Sequence, residues 1–495
     1  MKKIIIIGAG VGGLASGIRL LKMGFDVEIF EKNEKVGGRM YQIEEKGFKF
    51  DVGPTIVMMP EIYNEIFEVS GVDPKDYIDM SLLSPMYDIH FKDQTKLRIS
   101  TDLTQLVSQL EKIDPTDAQG YLAYLSDVYK RFLIAKEHFL MKSYSKPIQF
   151  YNPKSLYHLL RLRTLNSAYD SISSFVKDEK LRQALSFQTL YIGVSPFTGP
   201  SIYTIIPMIE LLYGVWYIKG GMYEMANQMK RRFLEMGGKL RLNENVSEIL
   251  IKDKVAYGVI SNDEHHHSDI VLTNADFPYA NSELIKEEKD KGKYTTKKIH
   301  KMSYSASSLV IYLGLDKKYK TNVHTLRFAN DFKKNINDLF CFNVPEDPSF
   351  YMYSPTQVDE TLSPKGKEII YVLVPVPSLH KGMTSWSEAF QKQYVNEVLD
   401  MISQIDEFND IKDHIEVMRV FTPDDFKKQF NLQFGATFGL RPVVTQSLYF
   451  RPQARSKTVK NLYFVGSSNH PGAGVPIVML SADIVTREIK KDSEK

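Results

Sequence analysis

Apolar and polar positions at the start of the chain predict a strand, a helix and a second strand in close succession. Ile4 to Ile7 is an unbroken run of β-branched residues, which indicates a buried strand. Leu14 to Met23 has apolar residues at helical spacing, and Val27 to Phe30 indicates another buried strand. This order of elements is typical of a βαβ unit in a parallel sheet.

The turn between the first strand and the helix has the G-x-G-x-x-G spacing of a nucleotide-binding loop, in Gly8-Ala9-Gly10-Val11-Gly12-Gly13. Gly8 permits the tight turn, Gly10 lets backbone amides approach a pyrophosphate, and Gly13 lets the helix lie close to the strand. Glu31 ends the second strand, where an acid accepts hydrogen bonds from ribose hydroxyls and disfavours the 2′-phosphate of NADP. The segment predicts a dinucleotide site and leaves FAD and NAD both open.

Further glycine turns follow at both ends of the chain. Gly37-Gly38-Arg39 comes after the second strand, and Phe50 to Thr55 adds another turn. The Arg39 guanidinium offers fork-like donors to pyrophosphate oxygens or to a flavin carbonyl. Near the C-terminus, Asn461 to Pro476 is a glycine-dense turn between a strand-like run and a helix-like run. Because two such turns can close on one long cofactor, we expect the two ends of the chain to meet.

These motifs resemble those of a known family. The N-terminal glycines with Glu31 and Gly37-Gly38-Arg39 resemble the FAD fingerprint of the amine oxidase and phytoene desaturase superfamily, and Asn461 to Ser481 is similar to the signature of bacterial-type carotenoid desaturases. The likeness covers essentially the whole chain and points to the thirty-carbon branch, the 4,4′-diapophytoene (dehydrosqualene) desaturases. Ser467 and Asn469 depart from the family pattern. The intervening segments that carry the resemblance are Phe187 to Gly193, Gly199 to Ser201, Ile205 to Glu210 and Lys219 to Met222.

The resemblance implies an α/β fold with a discontinuous Rossmann-type FAD-binding domain, a mixed-sheet substrate domain and a helical cap. The FAD-binding domain is predicted to comprise residues 1–85, 219–290 and 432–495. The substrate domain is predicted to comprise 86–128 and 291–431, where strands alternate with polar loops. Residues 129–218 are predicted to form the cap. Val246 either touches adenine through its backbone or is a buried strand valine. The residues predicted to bind FAD are Ile7, Gly8, Ala9, Gly10, Val11, Gly12, Gly13, Leu14, Glu31, Lys32, Gly38, Arg39, Gly53, Pro54, Thr55, Val246, Gly466, His470, Gly472, Gly474, Val475 and Pro476.

The family's function implies an apolar C30 carotenoid precursor as substrate. A linear isoprenoid has no charged group to bind, so we expect an apolar channel that holds an allylic CH₂ against the flavin. Loss of a hydride and then of a proton would desaturate 4,4′-diapophytoene stepwise to 4,4′-diaponeurosporene or further. The sequence names no catalytic base, and Glu210 is a candidate with structural hydrogen bonding as the alternative. Dioxygen or a quinone is the predicted electron acceptor.

Three other functions stay open at this point. A carotenoid oxygenase acting on terminal methyl groups would have the same fold and flavin, and the mass of its product would distinguish it. A flavin amine oxidase usually has an aromatic pair beside the flavin and often a covalent link, and the turn around His470 argues against it. A non-enzymatic prenyl-binding protein would not need the intact glycine motifs at both ends.

Composition and apolar runs indicate the compartment. The single cysteine, Cys341, excludes an intramolecular disulfide and fits a reducing environment. Ile4 to Ile7 is too short for the core of a secretory signal. Ile202 to Ile218 is interrupted by Pro207, Glu210 and Gly214, and therefore fails as a membrane span. We predict a cytoplasmic protein, soluble or associated with the inner face of the cell membrane.

The segment Tyr129 to Leu165 is strongly basic although the chain as a whole has a net charge of only +3. Its aromatic and leucine side chains alternate with basic ones, a mixture that suits the headgroup region of an anionic leaflet. The alternative is a solvated basic face over the core, and nucleic acid is disfavoured because no recognition motif is present. The basic residues are Lys130, Arg131, Lys136, Lys142, Lys146, Lys154, Arg161 and Arg163, against the single acid Glu137.

Two histidine motifs need separate interpretation. His265, His266 and His267 are adjacent and lack the spacing of metal ligands, so we predict a surface loop and no metal site. His470 lies within the C-terminal glycine turn. It either orients that loop or approaches the flavin ring.

Overall fold

The computed structural model describes residues 1–144, 147–162, 166–379 and 386–494. Within these ranges the β-strands are β1 (Lys3–Ile7), β2 (Asp26–Phe30), β3 (Gln42–Glu45), β4 (Phe48–Asp51), β5 (Met80–Leu82), β6 (Tyr87–His90), β7 (Lys96–Ile99), β8 (Trp216–Ile218), β9 (Lys239–Arg241), β10 (Val246–Lys252), β11 (Val255–Ser261), β12 (Glu264–His267), β13 (Ile270–Thr273), β14 (Ser307–Leu315), β15 (His324–Arg327), β16 (Phe350–Tyr353), β17 (Glu368–Val376), β18 (Ile415–Phe421) and β19 (Leu462–Phe464). The α-helices are α1 (Val11–Lys22), α2 (Pro60–Ser70), α3 (Leu103–Ile113), α4 (Pro115–Ala135), α5 (Pro147–Phe150), α6 (Pro153–Arg161), α7 (Ala168–Ser173), α8 (Glu179–Ser186), α9 (Ile205–Tyr213), α10 (Met222–Glu235), α11 (Phe277–Tyr279), α12 (Thr296–Lys301), α13 (Phe332–Phe340), α14 (Glu388–Ser403), α15 (Pro423–Phe430) and α16 (Val475–Ser493).

A five-stranded parallel sheet gathers both ends of the chain and its middle. The strand order is β19-β13-β1-β2-β9, and every neighbouring pair is parallel. Alternate residues of β1 enter two different cores, because successive side chains of a strand point to opposite faces. Ile4 and Ile6 pack with α1, α10 and α16, whereas Ile5 and Ile7 pack toward the antiparallel sheet β10-β11-β12. The sheet is therefore covered on both faces.

A seven-stranded mixed sheet forms a second layer, in the order β18-β14-β17-β16-β15-β6-β7. Among the described residues of this sheet, the pair β15–β6 is parallel and the other pairs are antiparallel. Strand β14 is buried along its whole length, with Leu309, Ile311 and Leu313 in a core shared with α14. Val310 and Tyr312 point to the opposite face, toward the main core. Two further sheets have two strands each, β3-β4 and β5-β8, and β4 packs against β17.

Residues 103–213 are mostly helical and contain α3 to α9, with a 3₁₀ turn at Phe187–Ile192. Helix α4 packs against α3 and α9. In the described ranges, no helix combines the length and the apolar character needed to cross a bilayer.

Two secondary-structure predictions differ from the structure. Residues 103–128, expected to contain strands and loops, form helix α3 and most of α4. Each helix begins with an aspartate whose side chain accepts backbone N–H bonds. Asp102 accepts from Thr104 and Gln105, and Asp114 accepts from Thr116. The histidines 265–267 lie in strand β12 and not in a loop, because Asn262 and Asp263 both adopt positive φ and close a two-residue hairpin with β11. They remain near the surface, and no group of metal ligands occurs among the described residues.

Candidate functional site

The N-terminal glycine turn joins β1 to α1, and Gly10, Gly12 and Gly13 have no room for a Cβ. A Cβ on Gly13 would lie 2.1 Å from the Gly8 carbonyl oxygen, and one on Gly10 would lie 2.8 Å from Asn274 Nδ2. Gly8 has φ of +94°, a conformation that favours glycine. Gly10 is the N-cap of α1 and supplies no side-chain cap, so the first N–H groups of the helix are free to bind an anion.

Glu31 lies at the carboxyl end of β2 and is 5% exposed. Its Oε2 accepts a bond from the Ala9 backbone N–H at 2.8 Å, and its Oε1 accepts bonds from the Asn33 backbone N–H at 3.0 Å and the Asn33 Nδ2 at 2.9 Å. Burial raises the pKa of the Glu31 carboxyl, while these bonds act in the opposite direction. The carboxylate therefore holds the glycine turn in place and lines the adjoining cavity.

Arg39 connects the N-terminal and C-terminal segments at the site. Its Nη1 donates to the Thr437 carbonyl oxygen at 2.7 Å, and its Nη2 donates to Ser467 Oγ at 2.8 Å. Gly53 lies directly against it, since a Cβ there would be 2.2 Å from the Arg39 carbonyl oxygen. Burial lowers the pKa of the guanidinium, and the nearby Asp276 opposes that shift.

Asp276, just after β13, faces Arg39 across the site and is 7% exposed. Ser468 Oγ donates to its Oδ1 at 2.6 Å. The Oδ2 atom is buried, and no donor from residues 1–144, 147–162, 166–379 or 386–494 reaches it. An unsatisfied carboxylate oxygen at a cavity wall fits the hydrogen-bond donors of a bound cofactor.

The C-terminal glycine turn supplies a second uncapped helix start. Helix α16 begins at Val475 with Pro476 in its first turn, and its N-cap, Gly474, provides no side-chain bond. Arg451, 1% exposed, braces the segment by donating to the carbonyl oxygens of Asn469, Gln446, Leu440 and Ser467. The sequence reasoning missed Arg451, and its position in a polar run between two apolar segments gave no signal of complete burial.

These turns surround a cavity of about 470 Å³. One end is formed by the glycine turns, Glu31 and Val246, and the other is apolar and aromatic. The predicted cofactor residues that line it are Ile7, Gly8, Gly10, Val11, Gly12, Glu31, Lys32, Gly38, Arg39, Gly53, Pro54, Thr55, Val246, Gly466, Gly474, Val475 and Pro476. The apolar end includes Met58, Met59, Phe187, Leu190, Ile206, Ile209, Val310, Leu326, Phe328, Phe332, Leu339, Phe350 and Leu373.

Five predicted residues do not line the cavity. Ala9 and Leu14 are fully buried, and Gly13 lies directly against the Gly8 carbonyl, where the lack of a side chain lets α1 pack close to β1. Gly472 stands away from the wall as well. His470 is buried and its Nε2 lies 2.8 Å from the Lys142 carbonyl oxygen, so it orients the C-terminal turn against the helical region rather than reaching the cavity.

Two buried polar networks border the apolar end. Glu210, on α9, accepts hydrogen bonds from Tyr87, Gln188 and Tyr191, and Tyr191 itself lines the cavity. On the sheet side, the Tyr351 hydroxyl lies 2.6 Å from Thr55 Oγ1 and 2.7 Å from His324 Nδ1. Burial lowers the pKa of His324 to about 3, so this histidine is neutral. Nothing in the sequence pattern had linked these tyrosines to the site.

The parallel sheet, the tight glycine turn at α1, the buried acid after β2 and the closing C-terminal turn define a dinucleotide-binding oxidoreductase. The glycines leave space for a pyrophosphate and the two uncapped helices present N–H groups, so the residues present fit FAD. The chain belongs to the family described as flavin containing amine oxidoreductase, whose model matches residues 11–490. This confirms the predicted family, the flavin cofactor and the fold class.

Two relatives are similar to this chain over its full length, and both are described as desaturases. The chain is 45% identical over 99% of its length, and 99% of the relative's, to a 4,4′-diapophytoene desaturase (4,4′-diaponeurosporene-forming) of Staphylococcus haemolyticus. It is 43% identical, over 100% of its length and 99% of the relative's, to the protein of the same description from Staphylococcus aureus strain Newman.

Solved structures share the fold at low identity. An oxidoreductase from Methanosarcina mazei matches with a TM-score of 0.65 at 18% identity, over 98% of this chain and 100% of that one. Putrescine oxidase bound to putrescine matches with a TM-score of 0.63 at 11% identity, over 100% of this chain and 99% of that one.

Proposed function

We propose that the protein is an FAD-dependent desaturase that removes a hydride and a proton from 4,4′-diapophytoene, a linear C30 isoprenoid, in steps leading to 4,4′-diaponeurosporene or further. The observation that carries this is the full-length identity of 43–45% to proteins of that description. A cavity with glycine turns at one end and an apolar end lined by Phe187, Phe328 and Phe332 supports it. A hydrocarbon chain needs such an apolar wall, because it has no polar group by which to be held.

We assign the cofactor contacts from this geometry. The free N–H groups at the start of α1 would bind the pyrophosphate, Glu31 the adenosine ribose, and Val246 the adenine through its backbone. Arg39 and the first turn of α16 would contact the pyrophosphate or the flavin ring. When bound, FAD supplies a two-electron acceptor for the substrate hydride. The residues around it orient the hydrocarbon and exclude water.

We propose that the helical region docks on an anionic membrane, which is where a C30 hydrocarbon resides. Helix α6 exposes Leu156, Tyr157 and Leu160, at 61%, 58% and 70%, and the neighbouring helix α5 exposes Ile148 at 68%. Lys154 and Arg161 lie on the same short helix, so apolar insertion and attraction to anionic headgroups would act together. Of the predicted basic residues, Lys146 and Arg163 lie outside the described ranges.

This docking would place the enzyme on the cytoplasmic face of the cell membrane, with dioxygen or a membrane quinone as the electron acceptor. A quinone would reach the enzyme through the same bilayer that delivers the substrate. Oxygen uptake and quinone reduction, measured separately during turnover, distinguish the two acceptors.

Incubation of the FAD-loaded protein with 4,4′-diapophytoene in liposomes under ¹⁸O-labelled dioxygen tests the proposed reaction. Each step should lower the product mass by two hydrogens, shift absorbance to longer wavelength and leave the product free of label. Labelled oxygen in the product would instead show a terminal-methyl oxygenase. Unchanged substrate that co-purifies with the protein would show a prenyl-binding protein. In a separate incubation with amines, oxidation of the amines would show an amine oxidase.

A further inference from the structure

Glu210 is a fully buried carboxylate at 0% exposure. Its Oε2 accepts a bond from the Tyr87 hydroxyl at 3.0 Å and from Gln188 Nε2 at 3.1 Å, and its Oε1 accepts a bond from the Tyr191 hydroxyl at 3.1 Å. All three donors are neutral groups. In the described ranges no lysine or arginine forms an ion pair with it, which is unusual for a buried acid.

Tyrosines make up most of the described surroundings of Glu210. Tyr87 approaches from β6, Tyr124 from α4, Tyr191 from the 3₁₀ turn and Tyr351 from β16, and burial raises the pKa of each tyrosine. Arg131 of α4 acts on Tyr124 and is paired with Asp127 at 3.0 Å. Burial raises the pKa of Glu210 to about 7, and the three hydrogen bonds oppose that shift.

The local backbone places Tyr191 between this carboxylate and the substrate end of the cavity. Helix α9 directs Ile206 and Ile209 into the cavity wall, and Glu210 is the next residue along. The 3₁₀ turn at Phe187–Ile192 contributes Tyr191 to the same wall, with its hydroxyl bonded to Glu210. An acid without a counter-ion therefore lies one hydrogen bond away from the site where the hydrocarbon would bind.

We propose that Tyr191 and Glu210 form the proton acceptor of the desaturation, an inference that rests on the proposed function. Bound FAD would accept the substrate hydride, which would leave an allylic cation on the carbon chain. The C–H bond next to it then breaks, and its electron pair forms the new double bond. The proton moves to the Tyr191 oxygen as the Tyr191 hydroxyl proton moves to Glu210. Tyr191 is the catalytic residue, and Glu210 acts through it.

The lack of an ion pair at Glu210 in the described ranges suits a reaction that forms a cation. No lysine or arginine of the described ranges pairs with Glu210, and a positive charge would arrive with the substrate when the allylic cation forms in the apolar end of the cavity. Electrostatic attraction is strong in buried, apolar surroundings, so an ionised Glu210 would stabilise the cation as well as receive its proton.

Glu368 offers a matched control because it is also 0% exposed and burial also raises its pKa to about 7. Its bonds come from the Tyr319 backbone N–H and from Gln357 Nε2, which makes it a brace between β17 and the preceding loops. It does not line the cavity, and neither do the two groups that bond to it.

The test compares Glu210→Gln, Tyr191→Phe and Glu368→Gln in single-turnover desaturation of 4,4′-diapophytoene across pH. The wild-type rate should rise as pH increases through about 7, because Glu210 must be ionised to accept a proton. In Glu210→Gln, the rate should fall about 100-fold or more, which matches the usual contribution of a general base. The rate of this variant should also no longer depend on pH. Glu368→Gln should keep both the rate and the pH profile.

A binding measurement gives a readout apart from turnover. N,N-dimethylgeranylgeranylamine, protonated near neutral pH, imitates the allylic cation, and its binding can be followed through the visible flavin spectrum. Wild type should bind it more tightly as pH rises from about 6 to about 8, while squalene, which is uncharged, should show no such trend. In Glu210→Gln, the affinity for each of the two ligands should not change with pH in this range.

The proposal is overturned if Glu210→Gln or Tyr191→Phe desaturates at the wild-type rate, or if the wild-type pH profile and amine binding are flat. Should Glu210→Gln fail to fold, Tyr191→Phe and the two wild-type measurements decide the matter. A wild-type enzyme that does not desaturate would refute the proposed function instead, whereas an active wild type with an equally active Glu210→Gln refutes only the proton acceptor.

Discussion

Glu31 is expected to set the affinity for the adenosine ribose of FAD, and Glu31→Gln tests this. The carboxylate now accepts bonds on both oxygens, from Ala9 and Asn33. A glutamine has one acceptor oxygen, so its NH₂ must oppose a backbone N–H on one side and leave a buried donor unpaired, which costs about 1–3 kcal/mol. The charged acceptor for the ribose, worth about 1.5–3 kcal/mol per bond, is also lost. Since about 1.4 kcal/mol corresponds to tenfold in affinity, we expect the FAD Kd to rise about tenfold or more.

The assay is titration of the apoprotein with FAD, followed by quenching of flavin fluorescence. Glu28→Gln is the matched control, because Glu28 is a buried carboxylate of the same strand that pairs with Lys3 and Arg241 and does not line the cavity. This control should lower the Tm and leave the FAD Kd unchanged. An unchanged Kd in Glu31→Gln, or an equal loss in Glu28→Gln, would refute the assignment of Glu31 to the ribose.

Three further outcomes follow from the same geometry. Gly10→Val should purify colourless, because its side chain would meet Asn274 and fill the space of the pyrophosphate; stoichiometric FAD in this variant would contradict the assignment of the turn. Arg451→Lys should unfold at a lower temperature, with a loss of about 3 kcal/mol, since lysine cannot bridge four carbonyls; an unchanged Tm would contradict this role. Lys154→Glu with Arg161→Glu should abolish sedimentation with anionic liposomes, and wild-type binding should weaken with salt; equal sedimentation of wild type with neutral and anionic vesicles would remove the electrostatic part of the docking.

The parts of the fold that sequence predicted are those where local pattern and backbone geometry coincide. Strand β1 follows from its isoleucines, and the turn at Gly8 to Gly13 follows from glycines whose Cβ atoms would have no space. The helical structure at 103–128 was not predicted, although Asp102 and Asp114 have the residue type and position of helix N-caps. Local signals of this kind were present in the sequence and could have been used.

Other features depend on contacts between distant segments and carry no local signal. Arg451 is buried because four carbonyls from the C-terminal segments converge on it, which only the folded chain reveals. Likewise, the sequence showed Glu210 alone in an apolar run, but its bonds to Tyr87 of β6 and Tyr191 come from tertiary packing. His470 stands among predicted cofactor residues, yet its Nε2 lies beside the Lys142 carbonyl oxygen of the helical region and it does not line the cavity.

Anaerobic single turnover tests the central claim most directly, because it asks whether the hydrocarbon itself reduces the flavin. The FAD-loaded protein is mixed with excess 4,4′-diapophytoene in liposomes without any electron acceptor, and the flavin spectrum and product mass are followed together. We expect the oxidised flavin absorbance to bleach in proportion to a product lighter by two hydrogens and without added oxygen. Flavin that stays oxidised while the substrate is bound and unchanged would contradict the account.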